Sequence, residues 1–130
     1  MAQTQDGDLA RAFDALVVEH PAALYVANSP QFYRERLRII QLAALHRLPA
    51  MYEWSGQVED GGLMSYGSRG AWIAERVADY VDHIFNGARP ADLPIERPIR
   101  FDLVINLKTA KALGIKVPQA LLLLAEEVVQ

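Results

Sequence analysis

Hydrophobic positions in the first half of the chain predict helices alternating with strands. Apolar residues recur at helical spacing from about Asp8 to Glu19, which predicts an amphipathic helix. The continuous apolar run Ala23–Ala27 is typical of a strand buried on both faces. Ser29 and Pro30 suit the cap and first turn of a helix reaching about His46. Further along lie a strand at Ala50–Glu53, a helical turn at Ser55–Glu59 and a strand at Leu63–Tyr66.

Short connections between these elements predict a parallel sheet with right-handed crossovers. The second half differs, because it opens with a long helix from about Arg69 to Asn86 that carries a wide apolar face. A proline-rich connection and a strand of largely alternating polarity at Ile99–Ile105 follow. The remaining elements are a short helix capped by Asn106 and closed by Gly114, another at Gln119–Leu124, and a possible edge strand at Ala125–Gln130.

The amino-acid composition excludes several classes of function. The chain has 130 residues, is 52% hydrophobic and 22% charged, and carries a net charge of −3, which is typical of one globular domain. This balance argues against a nucleic-acid partner, which needs a clustered basic patch. Without cysteine, disulfides and thiolate chemistry are excluded. The polar N-terminus lacks a signal-peptide pattern, so the chain as written is expected to stay in the cytoplasm.

The chain offers little that resembles catalytic machinery. The three histidines have no partner at metal-ligand spacing, and no HExxH pattern occurs. The Gly61-Gly62 pair precedes a strand instead of following one, which excludes a phosphate-binding loop on context. Ser65 lacks the spacing of a nucleophile elbow. We therefore expect no enzyme activity, no cofactor and no metal site.

Polar and aromatic residues at the ends of the predicted strands are the candidate site. In an open parallel sheet, ligands bind at the carboxyl ends of the strands. Hydroxyl and amide groups can hold a carboxylate, Glu53 can receive an ammonium group, and tyrosines can stack on an aromatic group. Two of these residues have simpler interpretations, Ser29 as a helix cap and Tyr52 as core. The candidate ligand-binding residues are Asn28, Ser29, Tyr52, Glu53 and Tyr66.

Four segments carry a family resemblance over nearly all of the chain from about Leu9. Together they resemble the ABC transporter substrate-binding protein family of the tryptophan/tyrosine-type uptake systems. The resemblance is specific, because the motifs keep the family's order and spacing. The segments are Leu48-Pro-Ala-Met-Tyr-Glu-Trp54, Gly61-Gly-Leu-Met-Ser-Tyr-Gly67, Gly87-Ala-Arg-Pro-Ala-Asp-Leu-Pro94 and Phe101-Asp-Leu-Val-Ile-Asn-Leu-Lys-Thr-Ala-Lys-Ala-Leu-Gly-Ile115.

The resemblance implies a type I periplasmic-binding-protein fold, in which two doubly wound α/β lobes close over a solute. It implies a small-molecule solute, a membrane permease as partner, a periplasmic location and no catalysis, with the five candidate residues facing the ligand. The chain matches the C-terminal portion only. The expected parts are a disordered or weakly ordered N-terminus (1–7), a βαβ ligand-binding lobe core (8–68), a crossover helix and strand that would pack on a missing lobe (69–105), and C-terminal helices with an edge strand (106–130).

The apolar face of the predicted crossover helix needs a cover, because it is too wide to leave in water. With the first lobe missing, we expect a second copy of the chain to cover it and form a homodimer. The alternative function is a stand-alone dimeric structural or regulatory α/β module without a specific ligand. The residues of this helix face are Trp72, Ile73, Val77, Tyr80, Val81 and Ile84.

Overall fold

The computed structural model describes the backbone of residues 6–68 and 70–130 and the side chains of residues 8–68 and 70–130. The prediction of a disordered or weakly ordered segment at residues 1–7 falls largely outside the described residues. The helices are α1 (Asp6–Val18), α2 (Pro30–Arg34), α3 (Arg36–Leu45), α4 (Ser55–Glu59), α5 (Gly70–Phe85), α6 (Leu107–Leu113) and α7 (Gln119–Leu124), with a 3-10 turn at Pro90–Asp92. The strands are β1 (Leu24–Tyr25), β2 (Ala50–Tyr52), β3 (Met64–Ser68), β4 (Phe101–Asn106) and β5 (Glu127–Val129).

The five described strands form one mostly parallel sheet in chain order, β1-β2-β3-β4-β5. β1, β2 and β3 run parallel, β4 is antiparallel to β3, and β5 is parallel to β4. The carboxyl ends of β1 to β3 therefore share one edge of the sheet with the starts of β4 and β5. The α/β class with a mostly parallel sheet is confirmed, and β5 is the edge strand that the sequence predicted.

The main core lies between the sheet and the first helices. Phe13 of α1 and Ile39, Ile40 and Ala43 of α3 pack with buried residues of the strands. The helical spacing of these apolar positions puts them on the inward sides of their helices. The strand residues of this core are Val26, which follows β1, and Ala50 and Tyr52 of β2.

Two predictions for the first half are wrong in detail. β1 is not buried on both faces, and Tyr25 is 58% exposed, because β1 is the first strand of the described sheet and pairs only with β2 there. The single helix predicted from Ser29 to His46 is two helices, since the backbone leaves helical angles at Glu35, where φ is −89° and ψ is 8°. The break separates the exposed Phe32 from the buried Ile39, so only the second helix contributes core residues.

β4 belongs to the segment 69–105 that was predicted to pack on a missing lobe. Among the described residues it pairs with β3, from Met64↔Ile105 to Ser68↔Phe101. Only its second half is buried, since Val104 is 3% exposed and Phe101 is 49% exposed. β4 is thus an integral strand of this sheet. Its C-terminal end leads into α6, where Asn106 accepts a hydrogen bond from Thr109 N at 2.9 Å, as its predicted role of cap requires.

α5 lies outside the buried core. None of its described residues is buried, and Val77 is 56% exposed. The connection after α5 folds back on it, because Arg76 forms an ion pair with Glu96 at 2.5 Å and Tyr80 OH donates to Pro94 O at 2.7 Å. These contacts involve Arg76 and Tyr80, of which Tyr80 belongs to the predicted apolar face. They leave the apolar face predicted from the sequence without an extensive cover among the described residues.

Candidate functional site

An open cleft of about 790 Å³ lies at the edge where the first three strands end. This volume is within the range of small-molecule sites. Its walls come from the segments that follow β1 and β2, from β3, and from the starts of α5, β4 and β5. The lining residues are Asn28, Ser29, Pro30, Tyr33, Glu53, Trp54, Ser55, Gly56, Ser65, Gly67, Ser68, Gly70, Ala71, Asp102, Val104, Glu126 and Glu127.

Asn28 and Ser29 lie where the chain turns from β1 into α2. Ser29 has extended backbone, and its Oγ accepts a hydrogen bond from Gln31 N at 3.2 Å. This is the helix cap that the sequence predicted, and Pro30 in the first turn fits it because proline needs no hydrogen bond there. Both Asn28 and Ser29 line the cleft, so the cap also forms part of a wall.

Glu53 follows β2 and is held in place from two sides. Its side chain accepts a hydrogen bond from Tyr25 OH, with 2.5 Å between the phenol oxygen and Oε1. Its backbone lies directly against β3, because a Cβ added at Gly67 would stand only 1.9 Å from Glu53 O. Glycine at position 67 thus allows β3 to approach the end of β2, and Glu53 lines the cleft.

The structure places Tyr52 in the core, which corrects its assignment as a ligand-facing residue. Tyr52 is 1% exposed, packs in the cluster with α1 and α3, and is absent from the cleft lining. Burial raises the pKa of its phenol to about 12, because the charged form would lose its hydration. The physical reason is position along the chain: Tyr52 is the last residue of β2 and is covered by the core cluster, whereas Glu53 lies just beyond the strand end, where the cleft opens.

Tyr66 is exposed but does not line the cleft. Its ring stacks on that of Phe101, with 5.7 Å between the ring centroids. The neighbours Ser65 and Gly67, which do line the cleft, point to the other face of β3. The structure therefore brings Asn28, Ser29 and Glu53 together in one cleft and leaves Tyr52 and Tyr66 outside its lining.

Several lining residues were not identified from the sequence. Four carboxylates line the cleft, of which only Glu53 was a candidate, and the described lining includes no lysine, arginine or histidine. Asp102 and Glu127 come from β4 and β5, whose starts reach this edge only because β4 runs antiparallel to β3. Trp54 and Tyr33 add aromatic surface. For Trp54 the sequence offered one signal of a role in the site, because Trp54 lies beside Glu53 in the Leu48–Trp54 motif of the family resemblance.

The described part of the chain contains neither a candidate metal site nor a helix suited to cross a membrane. No three histidine, aspartate or glutamate side chains there come together as a candidate metal site. None of the described helices combines the length and the apolar character needed to cross a membrane.

Comparison with known proteins places this cleft in a family context. A family model described as ABC transporter substrate binding protein matches residues 4–129. A conserved domain protein from Vibrio cholerae O1 biovar eltor superposes with a TM-score of 0.86 at 27% identity, over 98% of this chain and 43% of that chain. The ABC domain in complex with L-Trp from Streptococcus pneumonia gives a TM-score of 0.84 at 23% identity, over 95% of this chain and 42% of that chain.

A third similar structure is the ligand-free, open form of a substrate-binding protein with adhesive properties from Clostridium difficile. Its TM-score is 0.68 at 22% identity, and the match covers 100% of this chain and 43% of that chain. No match was found among the curated proteins searched. The chain thus spans about two fifths of the length of the solved structures that it resembles, and the family model covers almost all of it. This chain belongs to the ABC transporter substrate-binding protein family.

Proposed function

We propose that the cleft binds an amino-acid-like or small organic solute without transforming it, as the solute-binding part of an ABC-type uptake system. The observation that carries the proposal is the position of the cleft at the carboxyl ends of β1, β2 and β3, in a chain of this family. A related structure is described as a complex with L-Trp, which supports an amino acid as the first solute to test. Delivery to a membrane permease and a periplasmic location are part of the same proposal.

The lining groups suggest how such a solute would lie. The Glu53 carboxylate can accept hydrogen bonds from an ammonium group, and a charged pair of this kind is stronger than a neutral hydrogen bond. Asn28 and Ser29 supply an amide and a hydroxyl for a carboxylate or other polar group. Trp54 offers a flat apolar surface for an aromatic or aliphatic side chain. We therefore keep Asn28, Ser29 and Glu53 as proposed binding residues and leave out Tyr52.

Binding by this chain alone should be weak. The cleft is open, and the chain spans only 43% of the Vibrio cholerae structure. A solute that touches one wall loses its translational and rotational freedom without the contacts that a second wall would return. We expect dissociation constants in the high micromolar to millimolar range, about 4 to 6 kcal/mol of binding free energy.

Isothermal titration calorimetry with L-tryptophan, L-tyrosine, L-leucine and L-glutamate tests the proposal. We expect heat of binding for at least one of them, and Glu53→Gln should weaken it because the ammonium group loses its charged acceptor. A matched control is Glu19→Gln, which removes one exposed carboxylate just after α1, outside the lining residues. If none of the four binds at millimolar concentration, the proposed function fails, and a module without a specific ligand becomes the better interpretation.

We also propose that α5 mediates homodimer formation in this chain. The support is the exposure of its apolar face, on which Val77, Val81 and Ile84 are 56%, 43% and 40% exposed. Covering such a face removes apolar surface from water, which stabilises the dimer by about 25 cal/mol for each Å² buried. Light scattering coupled to size-exclusion chromatography should give twice the mass of one chain. Val77→Glu should return it to a monomer, whereas Ala78→Glu adds the same charge away from this face. A monomer at micromolar concentration contradicts the proposal.

A further inference from the structure

We propose that Tyr25 is a positioning residue for the cleft, because its phenol holds the Glu53 carboxylate in place to receive the cationic group of a solute. Tyr25 does not itself line the cleft, so its role acts through Glu53. The inference rests on the proposed function, since it assigns a part of the same binding site.

The two side chains meet because of the strand register. Tyr25 of β1 is opposite Met51 of β2, and Glu53 lies two residues beyond Met51. Residues two apart project from the same face of a strand, and diagonal neighbours are within reach of a tyrosine. A hydrogen bond from Val26 N to Met51 O at 2.9 Å holds the two strands together at this point. The phenol of Tyr25 consequently reaches Oε1 of Glu53.

The hydrogen bond from Tyr25 restricts the side chain of Glu53, which the backbone contacts leave free to rotate. The close approach of Gly67 to Glu53 O fixes where the residue sits. The side chain could still rotate about three bonds, and ordering a glutamate costs conformational entropy. A carboxylate has lone pairs on both oxygens, so the bond at Oε1 leaves acceptor sites on Oε2 for a ligand. A solute then meets a carboxylate that is already ordered.

The phenol of Tyr25 keeps its proton and so remains a hydrogen-bond donor to Glu53. Its hydrogen bond to the Glu53 carboxylate, followed by burial and by the charge of Glu53, raises the pKa of the phenol above its ordinary value. The phenol therefore stays protonated through the neutral range and keeps donating. Although Tyr25 is 58% exposed, its hydroxyl is directed to the carboxylate of Glu53, a residue that lines the cleft.

Binding of three indole probes tests the role in Tyr25→Phe, which keeps the ring and removes the hydroxyl. Tryptamine carries an ammonium group without a carboxylate, indole-3-propionate carries the reverse, and L-tryptophan carries both. We expect the dissociation constants of tryptamine and L-tryptophan to rise about three- to tenfold, as for the loss of one hydrogen bond, and that of indole-3-propionate to change less than about twofold.

Two controls separate positioning from general damage. Tyr80→Phe makes the same chemical change on α5, where the hydroxyl donates to Pro94 O, and should leave the binding of all three probes unchanged. In a Glu53→Gln background, Tyr25→Phe should cause little further loss for tryptamine, because the two residues act through one carboxylate. Equal weakening of all three probes by Tyr25→Phe would show a merely structural role and overturn the proposal.

A measurement without ligand keeps the failure of the inference distinct from failure of the proposed function. With tyrosine labelled at ¹³Cζ and Tyr25 assigned through Tyr25→Phe, NMR titration gives the pKa of Tyr25 directly. We expect Glu53→Gln to lower it towards the ordinary value, and an unchanged pKa would mean that the contact is absent in solution and overturn the inference. If the pKa responds but the wild-type chain binds none of the probes, the proposed function fails for these solutes and the positioning role falls with it, while the contact itself stands.

Discussion

Gly67→Ala should both destabilise the fold and disturb the cleft. A Cβ at position 67 would lie 1.9 Å from Glu53 O, 2.9 Å from Glu53 C and 3.3 Å from Glu53 Cα. An ordinary contact of this kind is about 3.4 Å or longer, and all three atoms belong to the backbone, which cannot move aside by rotating a side chain. The end of β2 and the middle of β3 would therefore have to separate by more than an ångström.

The loss of unfolding free energy in Gly67→Ala can be estimated from known effects of overpacking. Forcing extra atoms into a packed region costs about 1 to 3 kcal/mol, through shifted backbone and strained side chains. For a domain of this size, each kcal/mol lowers the melting temperature by about 4 °C. We therefore expect Gly67→Ala to melt about 4 to 12 °C below the wild-type protein. The displaced Glu53 should also lose its bond to Tyr25.

Urea unfolding followed by tryptophan fluorescence measures the free energy, and circular dichroism gives the melting temperature. The matched control is Gly56→Ala on α4, where the added Cβ meets nothing closer than Tyr33 Oη at 3.8 Å. Because alanine favours a helix over glycine by about 0.5 to 1 kcal/mol, this control should be neutral or slightly stabilising. Equal stability of Gly67→Ala and the wild type would refute the close approach of β3 to Glu53.

Three further changes test the core, a buried cap and a buried phenol. Val58→Ala, at a side chain that is 0% exposed, should cost about 2 kcal/mol in urea unfolding through lost burial and a cavity, whereas Val18→Ala at a 72% exposed site should cost little; equal costs would contradict the packing. Asn106→Ala should cost about 1 to 3 kcal/mol in the same assay, since Asn106 caps α6 through Thr109 N and also donates to Val58 O at 3.2 Å, and a neutral result would contradict both bonds. The raised pKa of Tyr52, about 12, means that its stabilising effect is complete below the ordinary value of 10 and is lost as pH rises through 12. Urea unfolding from pH 9 to 12 should show this loss in the wild type and less of it in Tyr52→Phe, and identical pH profiles would contradict the burial.

Local sequence determined the elements of this protein and several of their boundaries. The cap at Ser29, the cap at Asn106 and the left-handed Gly114 each act within a few residues of chain, so their roles could be predicted without the fold. The motif around Glu53 also marked a strand end, and the family followed from motifs alone. The break at Glu35 was not predictable in the same way, because the apolar pattern of one helix continues into the next.

Tertiary structure decided which residues share the cleft. Tyr52 and Glu53 are adjacent in sequence, yet one is core and the other lines the cleft, because α1 and α3 pack against β2 itself and Glu53 lies just beyond its end. The antiparallel entry of β4 brings Asp102 to the same edge, although it lies 49 residues beyond Glu53 in the printed sequence. Sequence patterns record which side chains alternate, whereas the partners of each strand, and hence the composition of the site, depend on contacts between distant segments.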